Sequence, residues 1–296
     1  MPESDFSELL ESISRSAEWV DDALRPFLAD YGRQSLLPGA ASHCLEAGGK
    51  RIRPFLVRAA CRAFGGDDSR AVHAAAAVEM VHTYSLIHDD LPAMDDDSTR
   101  RGRPTLHVLH GSPQAVLAGD FLLSGAFTIL LRGPQTPSIL GAMTRHLAEA
   151  AGASFLVGGQ FMDMAPPPAP DEDWARRMID GKTSAMIRVS LELGALAGSC
   201  PPSTLPAVSA AGDRLGLLFQ ITDDLLDVSG TEEEMGKAVG KDAARGKANL
   251  VTIMGLDESR RLAGRISEDL DSEFSRMPGD WSEVRMLSAY LPGRRS

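Results

Sequence analysis

"SLIHDDLPAMDDDSTRRGRP", residues 85 to 104, ends a helical pattern in a crowd of like charges. Asp89, Asp90, Asp95, Asp96 and Asp97 surround Pro92, and Arg100 and Arg101 follow directly. The preceding residues, Ser69 to Asp90, are alanine-rich and read as one long helix. Pro92 cannot donate to the helix ladder and crowds the carbonyl of His88. Asp95 lies six positions after Asp89, a spacing that turns the two side chains about 120° apart on a regular helix. The break therefore predicts that the chain swings Asp95 back beside Asp89.

Outward from that stretch, nearly every segment has helical periodicity. Helices are predicted over residues 4–28, 54–64, 114–131, 138–155, 174–197, 205–228, 256–274 and 281–291, besides the one over 69–90. Ser112-Pro113 reads as an N-cap followed by a first-turn proline. Short Gly- and Pro-rich breaks separate the helices, such as Gly133-Pro134, Cys200-Pro201-Pro202 and Met277-Pro278-Gly279. Their brevity suits loops, not linkers. No segment alternates with period two. The expectation is all-α: a single domain over residues 1–296 with about ten helices.

Of the 296 residues, 43% are hydrophobic and 5% aromatic, which suits a large helical core. The formal charge of −11 argues against a general nucleic-acid binder, which needs a basic stripe. Cys44, Cys61 and Cys200 lack metal-ligand spacing and are odd in number, so they read as free thiols in a reducing compartment. No secretory pattern and no run of about 18 apolar residues is visible. A cytoplasmic protein without a membrane span is expected.

A second acidic cluster lies in "FQITDDLLDV", residues 219–228. Gln220, Asp223 and Asp227 share a helix face, with Asp224 beside them. Leu217, Leu218, Ile221, Leu225 and Leu226 make the same helix apolar. One D-D-x-x-D pattern is usually a solvated face. Two acidic clusters, each ending or crossing an apolar helix, point to metal. Two carboxylates ~4 Å apart repel by about 4 kcal/mol at an effective dielectric of 20, and a divalent cation relieves that. Hard oxygen donors without Cys or His suit Mg²⁺, or Mn²⁺, which completes its shell with water and substrate phosphates.

Cations recur in the remaining breaks. Lys50 and Arg53 lie in "GGKRIRP", Lys182 and Thr183 in "DGKTSA", Lys237 and Lys247 in "MGKAVGKDAARGK", and Arg294 and Arg295 at the end. Each alone reads as a solvated loop. Together with the acidic helices they suggest two polyanion sites, one bridged by metal and one bound directly by Arg and Lys.

"GGKRIRP", "DDLPAMDDD…RRGRP", "GGQ", "GKT" and "FQ…DDLLD", in that order, resemble the trans-isoprenyl diphosphate synthases (the polyprenyl synthetase family). The bacterial farnesyl diphosphate synthases are the most similar type. The resemblance implies an antiparallel helical bundle around a deep central cavity, usually a homodimer. It implies condensation of isopentenyl diphosphate with an allylic diphosphate, dimethylallyl or geranyl, releasing pyrophosphate. Three Mg²⁺ ions would be held by Asp89, Asp90 and Asp95 and by Asp223, Asp224 and Asp227 on a facing helix. Arg100, Lys182, Lys237 and Lys247 would contact the allylic diphosphate. Lys50, Arg53, His82 and Arg101 would hold isopentenyl diphosphate, with Arg294 and Arg295 closing over it. Thr183, Gln220 and the Lys182 carbonyl would stabilise the carbocation.

The residues themselves leave other readings open. A lone His82 is more often a satisfied core histidine, and Asp96 and Asp97 suit a solvated face as well as a metal. Asp163 reads as polar support. The resemblance makes Tyr84 and Ser85 determinants of product length, with bulky Tyr84 favouring a short chain, fifteen carbons or ten over twenty. On the helical wheel Ser85 aligns with Asp89 and Tyr84 does not. Ala248-Asn249-Leu250-Val251 and the "PPPAP" loop at 166–170 depart from the family pattern. A class I terpene cyclase would carry a different second metal motif and has no use for "GGKRIRP". A non-catalytic partner subunit tends to lose aspartates, and a helical scaffold needs none of these motifs.

Overall fold

The computed structural model describes residues 6–32, 37–229 and 249–294. These are helical almost throughout, as the periodicity predicts. The long helices are α1 (Ser7–Gly32), α3 (Ile52–Ala63), α4 (Asp68–Asp89), α6 (Ser112–Leu130), α7 (Pro137–Ala151), α10 (Ala185–Ala197), α11 (Leu205–Ser229) and α13 (Leu256–Arg276). Shorter ones are α2 (Leu37–Leu45), α5 (Leu106–His110), α8 (Leu156–Met164), α9 (Glu172–Ile179), α12 (Leu250–Met254) and α14 (Ser282–Tyr290). α2, α5, α8 and α12 escape sequence reading because their few turns leave only a weak apolar period. The helix predicted over 174–197 is divided by a π-turn at Asp180–Ser184. The one predicted over 138–155 ends at Ala151, before Gly152. Where no strand was expected, Thr99–Arg100 pairs antiparallel with Arg103–Pro104 as β1 and β2.

Contacts divide the chain into two compact units. One comprises Leu10–Arg145 and Leu193–Ser199. At its centre α4 packs on α3 and α6, and α6 also meets α2 and α5. The α4–α6 approach depends on Gly119, where a Cβ would fall 2.2 Å from His88 Nε2. α6 is long and apolar enough, by length and composition only, to cross a membrane, yet here it packs on these helices.

Arg51 anchors this unit. It starts α3 in the left-handed region (φ 49°) and is buried. Its guanidinium donates to Glu79 on α4, to Asp21 on α1 at 2.9 Å, and to the Leu45 carbonyl. Burial works against its charge, but Glu79 and Asp21 more than offset that and keep it firmly protonated. Removing one partner of a buried pair leaves the other charge uncompensated. Glu79→Ala is expected to lower unfolding stability by about 3–5 kcal/mol, read from denaturant titrations.

The second unit comprises Met1–Leu9, His146–Glu192 and Cys200–Ser296. Within it α11 packs on α13, on α9 and on the π-turn, and α13 carries α14. Gly216 of α11 lies so close to the turn that a Cβ would sit 2.3 Å from Ser184 Cα. Asn249 caps α12 reciprocally with Thr252, so part of the departure from the family pattern serves as a helix start. The three cysteines are unbridged.

Candidate active site

The two aspartate motifs belong to different units, and each is built differently. In the first, α4 ends at Asp89, and Leu91–Met94 form a turn held by Leu91 N–H to His88 O (3.1 Å) and Met94 N–H to Leu91 O (2.8 Å). The chain then folds back, and the Asp95 N–H donates to Asp89 O at 2.8 Å. Asp96, exposed and at φ 51°, completes the reversal. Asp95 thus returns beside Asp89, and the helix is broken where Pro92 requires it.

The β1–β2 hairpin turns through Arg101 and Gly102, both at positive φ (52° and 73°), as a two-residue hairpin loop of primed type demands. That turn separates the arginine pair. Arg100 Nε donates to both Asp90 carboxylate oxygens, at 2.8 and 3.0 Å. Arg101 instead reaches the Gly48 carbonyl. At Gly49 (φ 132°) a Cβ would lie 2.6 Å from the Arg101 guanidinium. The glycine pair of "GGKRIRP" therefore admits Arg101, joining two basic motifs far apart in sequence. Burial pushes the Asp90 carboxyl above the usual range, and Arg100 only partly offsets this. Lys50 is exposed and Arg53 half-buried at this end of α3.

His82 lies among these arginines. Burial first, then Arg53, Arg101, Arg100 and Arg51, hold its imidazole well below the ordinary range. It stays neutral where the unfolded chain's histidine, with a pKa of ~6.5, takes up a proton. The unfolded state then binds more protons, so this group's contribution to stability falls as pH drops through about 6.5. Ring ¹⁵N shifts should report neutral His82 at pH about 6, and a half-protonated ring there would contradict the assignment.

The second motif lies on α11 of the other unit. The π-turn presents Lys182 and Thr183, and π-bulges recur at functional sites. Lys182 Nζ donates to Asp163 of α8 at 2.6 Å. Buried Thr183 donates to Gln220 Oε1 at 2.6 Å, and Gln220 Nε2 donates to buried Asp224 at 2.8 Å. Gly159 allows this arrangement, since a Cβ there would meet Lys182 N at 2.2 Å. Asp223 receives Arg294, and half-buried Asp227 lies one turn further along α11. Lys237, Lys247 and Arg295 lie outside the described residues. Sequence reasoning gave Asp163 little weight and overlooked Arg51. Only its place between Lys50 and Arg53 marked the latter.

Tyr84 is buried and sets its ring edge-on against His88, with centroids 5.7 Å apart. His88 Nε2 lies 3.1 Å from the Val116 carbonyl of α6, so this face of α4 is turned to α6. Half-buried Ser85 bonds the His82 carbonyl at 2.9 Å.

Among the described residues no three His, Cys, Asp or Glu side chains form a ready metal cage. The donors nonetheless suit a hard divalent cation. They are all carboxylates, and in each motif one of them already holds a guanidinium as counter-charge, Arg100 on Asp90 and Arg294 on Asp223.

Residues 34–277 match the family model described as polyprenyl synthetase. Geranylgeranyl pyrophosphate synthase 9 (chloroplastic) of Arabidopsis thaliana is 37% identical over 293 residues, covering 95% of this chain and 80% of that protein. A geranylgeranyl pyrophosphate synthetase structure from Pyrococcus horikoshii aligns with TM-score 0.89 and 29% identity, over 98% of this chain and 99% of that one. An apo FPP/GFPP synthase structure from Zymomonas mobilis aligns with TM-score 0.83 and 31% identity, over 96% and 99%.

Proposed function

The chain belongs to the polyprenyl synthetase family and is a short-chain trans-prenyltransferase, and from that premise we propose that it makes farnesyl diphosphate with magnesium as cofactor. The observation that carries the metal-dependent reading is the break after α4, and buried, bulky Tyr84 ahead of Asp89 supports the fifteen-carbon product. The break returns Asp95 to Asp89 while the following hairpin directs Arg100 to Asp90 and Arg101 to Gly48. One stretch of chain thereby serves two anions.

In the proposed reaction the allylic C–O bond breaks and its electron pair leaves with pyrophosphate. The double bond of isopentenyl diphosphate attacks the allylic cation to form the new C–C bond, and the released pyrophosphate accepts the proton lost. Bound magnesium, held by Asp89, Asp90, Asp95, Asp223, Asp224 and Asp227, would stabilise charge on the departing group. Arg100 and Lys182, with Lys237 and Lys247, contribute further positive charge there. The Thr183 and Gln220 oxygens, aligned by their mutual hydrogen bond, and the Lys182 carbonyl offer negative ends of dipoles to the cation. Lys50, Arg53, neutral His82 and Arg101 take the isopentenyl diphosphate.

Val108 and Leu109 on α5 and Val116 and Leu117 on α6 are exposed, at 52%, 46%, 39% and 53%. Such an apolar patch supports the homodimer. We assign the protein to the cytoplasm, although several relatives are named chloroplastic.

A twenty-carbon product is the second reading, favoured by the geranylgeranyl synthases among the relatives. The experiment supplies isopentenyl diphosphate with dimethylallyl or geranyl diphosphate, with and without Mg²⁺. Chromatography of the dephosphorylated products should give farnesol. Geranylgeraniol would favour the second reading. Pyrophosphate release without isopentenyl diphosphate would indicate a cyclase instead.

A further inference from the structure

We propose that Arg294 is a built-in counter-cation that holds Asp223 until a divalent metal displaces it, so that metal loading of the second motif releases the end of the chain. The inference rests on the reading of Asp223 as a metal ligand.

The geometry is specific. Phe219, Thr222 and Asp223 stand at i, i+3 and i+4 on α11 and so share one face. The Arg294 guanidinium lies on that face, with Cζ 4.9 Å from the Phe219 ring centroid. One terminal nitrogen donates to Asp223 Oδ1 and, at 3.3 Å, to Thr222 Oγ1. α14 and the single 3₁₀ turn at Leu291–Gly293, which packs on α11 and α13, deliver the arginine there.

The contact is also incomplete. The Arg294 side chain is 3% exposed, whereas its partner Asp223 is 42% exposed. Arg294 Nε is buried without a hydrogen-bond partner among the described residues. A fully enclosed guanidinium with one half-open carboxylate and an unsatisfied N–H is a contact that can be exchanged. A dication reaching Asp223 from its open side brings twice the charge. The carboxylate cannot serve both cations fully, so each weakens the other's hold. The apparent metal affinity is then reduced by the fraction of molecules in which Asp223 is held by Arg294.

The test uses the full chain, without substrate, and Mn²⁺ as probe, with bound metal read by electron paramagnetic resonance. Arg294→Gln should bind Mn²⁺ about 5- to 10-fold more tightly than the parent. Arg294→Lys, which keeps the charge, should fall between them. In the parent, Mn²⁺ should accelerate trypsin cleavage after Arg294, read by mass spectrometry as loss of Arg295-Ser296. Asp223→Asn separates the two ideas. If it binds Mn²⁺ as well as the parent, the metal reading of Asp223 fails and the latch with it. If it binds weakly while Arg294→Gln and Arg294→Lys match the parent, the reading of the motif stands and the latch is overturned. Should Arg294→Gln unfold, the Lys variant and the cleavage rate of the parent decide alone. Equal Lys and parent affinities with unchanged cleavage would refute the proposal.

Discussion

Asp95→Ala should lower turnover about 10³-fold, the scale at which loss of one preorganised charge-stabilising group is felt. The side chain is half-buried and lies beyond the end of α4, and the backbone N–H that bonds Asp89 O survives the substitution. The folded-back turn should therefore persist. What is lost is one carboxylate from the set proposed to hold magnesium. Asp89 and Asp90 are already counted in that set, and Asp90 also carries Arg100, so neither makes up for the missing ligand. Asp96→Asn is the matched control. Asp96 is exposed, and its φ of 51° is one that asparagine tolerates. Steady-state kcat with both diphosphates and saturating Mg²⁺ decides. An Asp95→Ala enzyme within tenfold of the parent would remove Asp95 from the metal set.

Tyr84→Ala should lengthen the product from fifteen carbons to twenty or beyond. The phenol is buried, and burial, aided by nearby Asp89, raises its pKa to about 12, so it remains a neutral, bulky wall at any working pH. Removing the ring opens space of several methylenes one to two turns below Asp89. The substitution should also destabilise the core by about 3–5 kcal/mol, so products are compared well below the melting temperature. The geometry supplies a competing candidate. On α4 Tyr84 is turned about 140° from Asp89 and Ser85 only about 40°. The Tyr84 ring also packs with His88, which bonds α6. If Ser85 instead faces the growing chain, Ser85→Phe shortens the product and Tyr84→Ala leaves it unchanged. Chromatography of both variants distinguishes these outcomes, and an unaltered Tyr84→Ala product would dismiss Tyr84 as the floor.

Most of the helical architecture was legible because long amphipathic helices write their period directly into the chain. The elements that were missed have physical reasons. α5 and α12 have five residues each, less than two turns. The π-turn leaves no compositional trace, since "DGKTS" suits an α-helix almost as well. The β1–β2 hairpin is too short for alternation, although Arg101-Gly102 at its turn gave a hint. The candidate site was legible as a set of residue types, less so as a set of partners. "GGKRIRP" offered three cations, and nothing local distinguishes Arg51, tied to Glu79 and Asp21, from half-buried Arg53 or exposed Lys50.

By itself the sequence determined the all-α class, the two aspartate motifs and the break after Asp89. Each depends on interactions among near neighbours: apolar periodicity, the spacing of like charges, and a proline that cannot extend a helix. Only the tertiary structure decided that Arg100 takes Asp90 while Arg101 takes Gly48. It alone decided that Thr183 bonds Gln220, that Lys182 bonds Asp163, and that Arg294 closes on Asp223. Those partners are far apart in the chain, and a side chain's partner is settled by which groups packing brings within hydrogen-bond reach. Glycines such as Gly49, Gly159 and Gly216 permit that approach, and their role becomes visible only when the opposing atoms are in place.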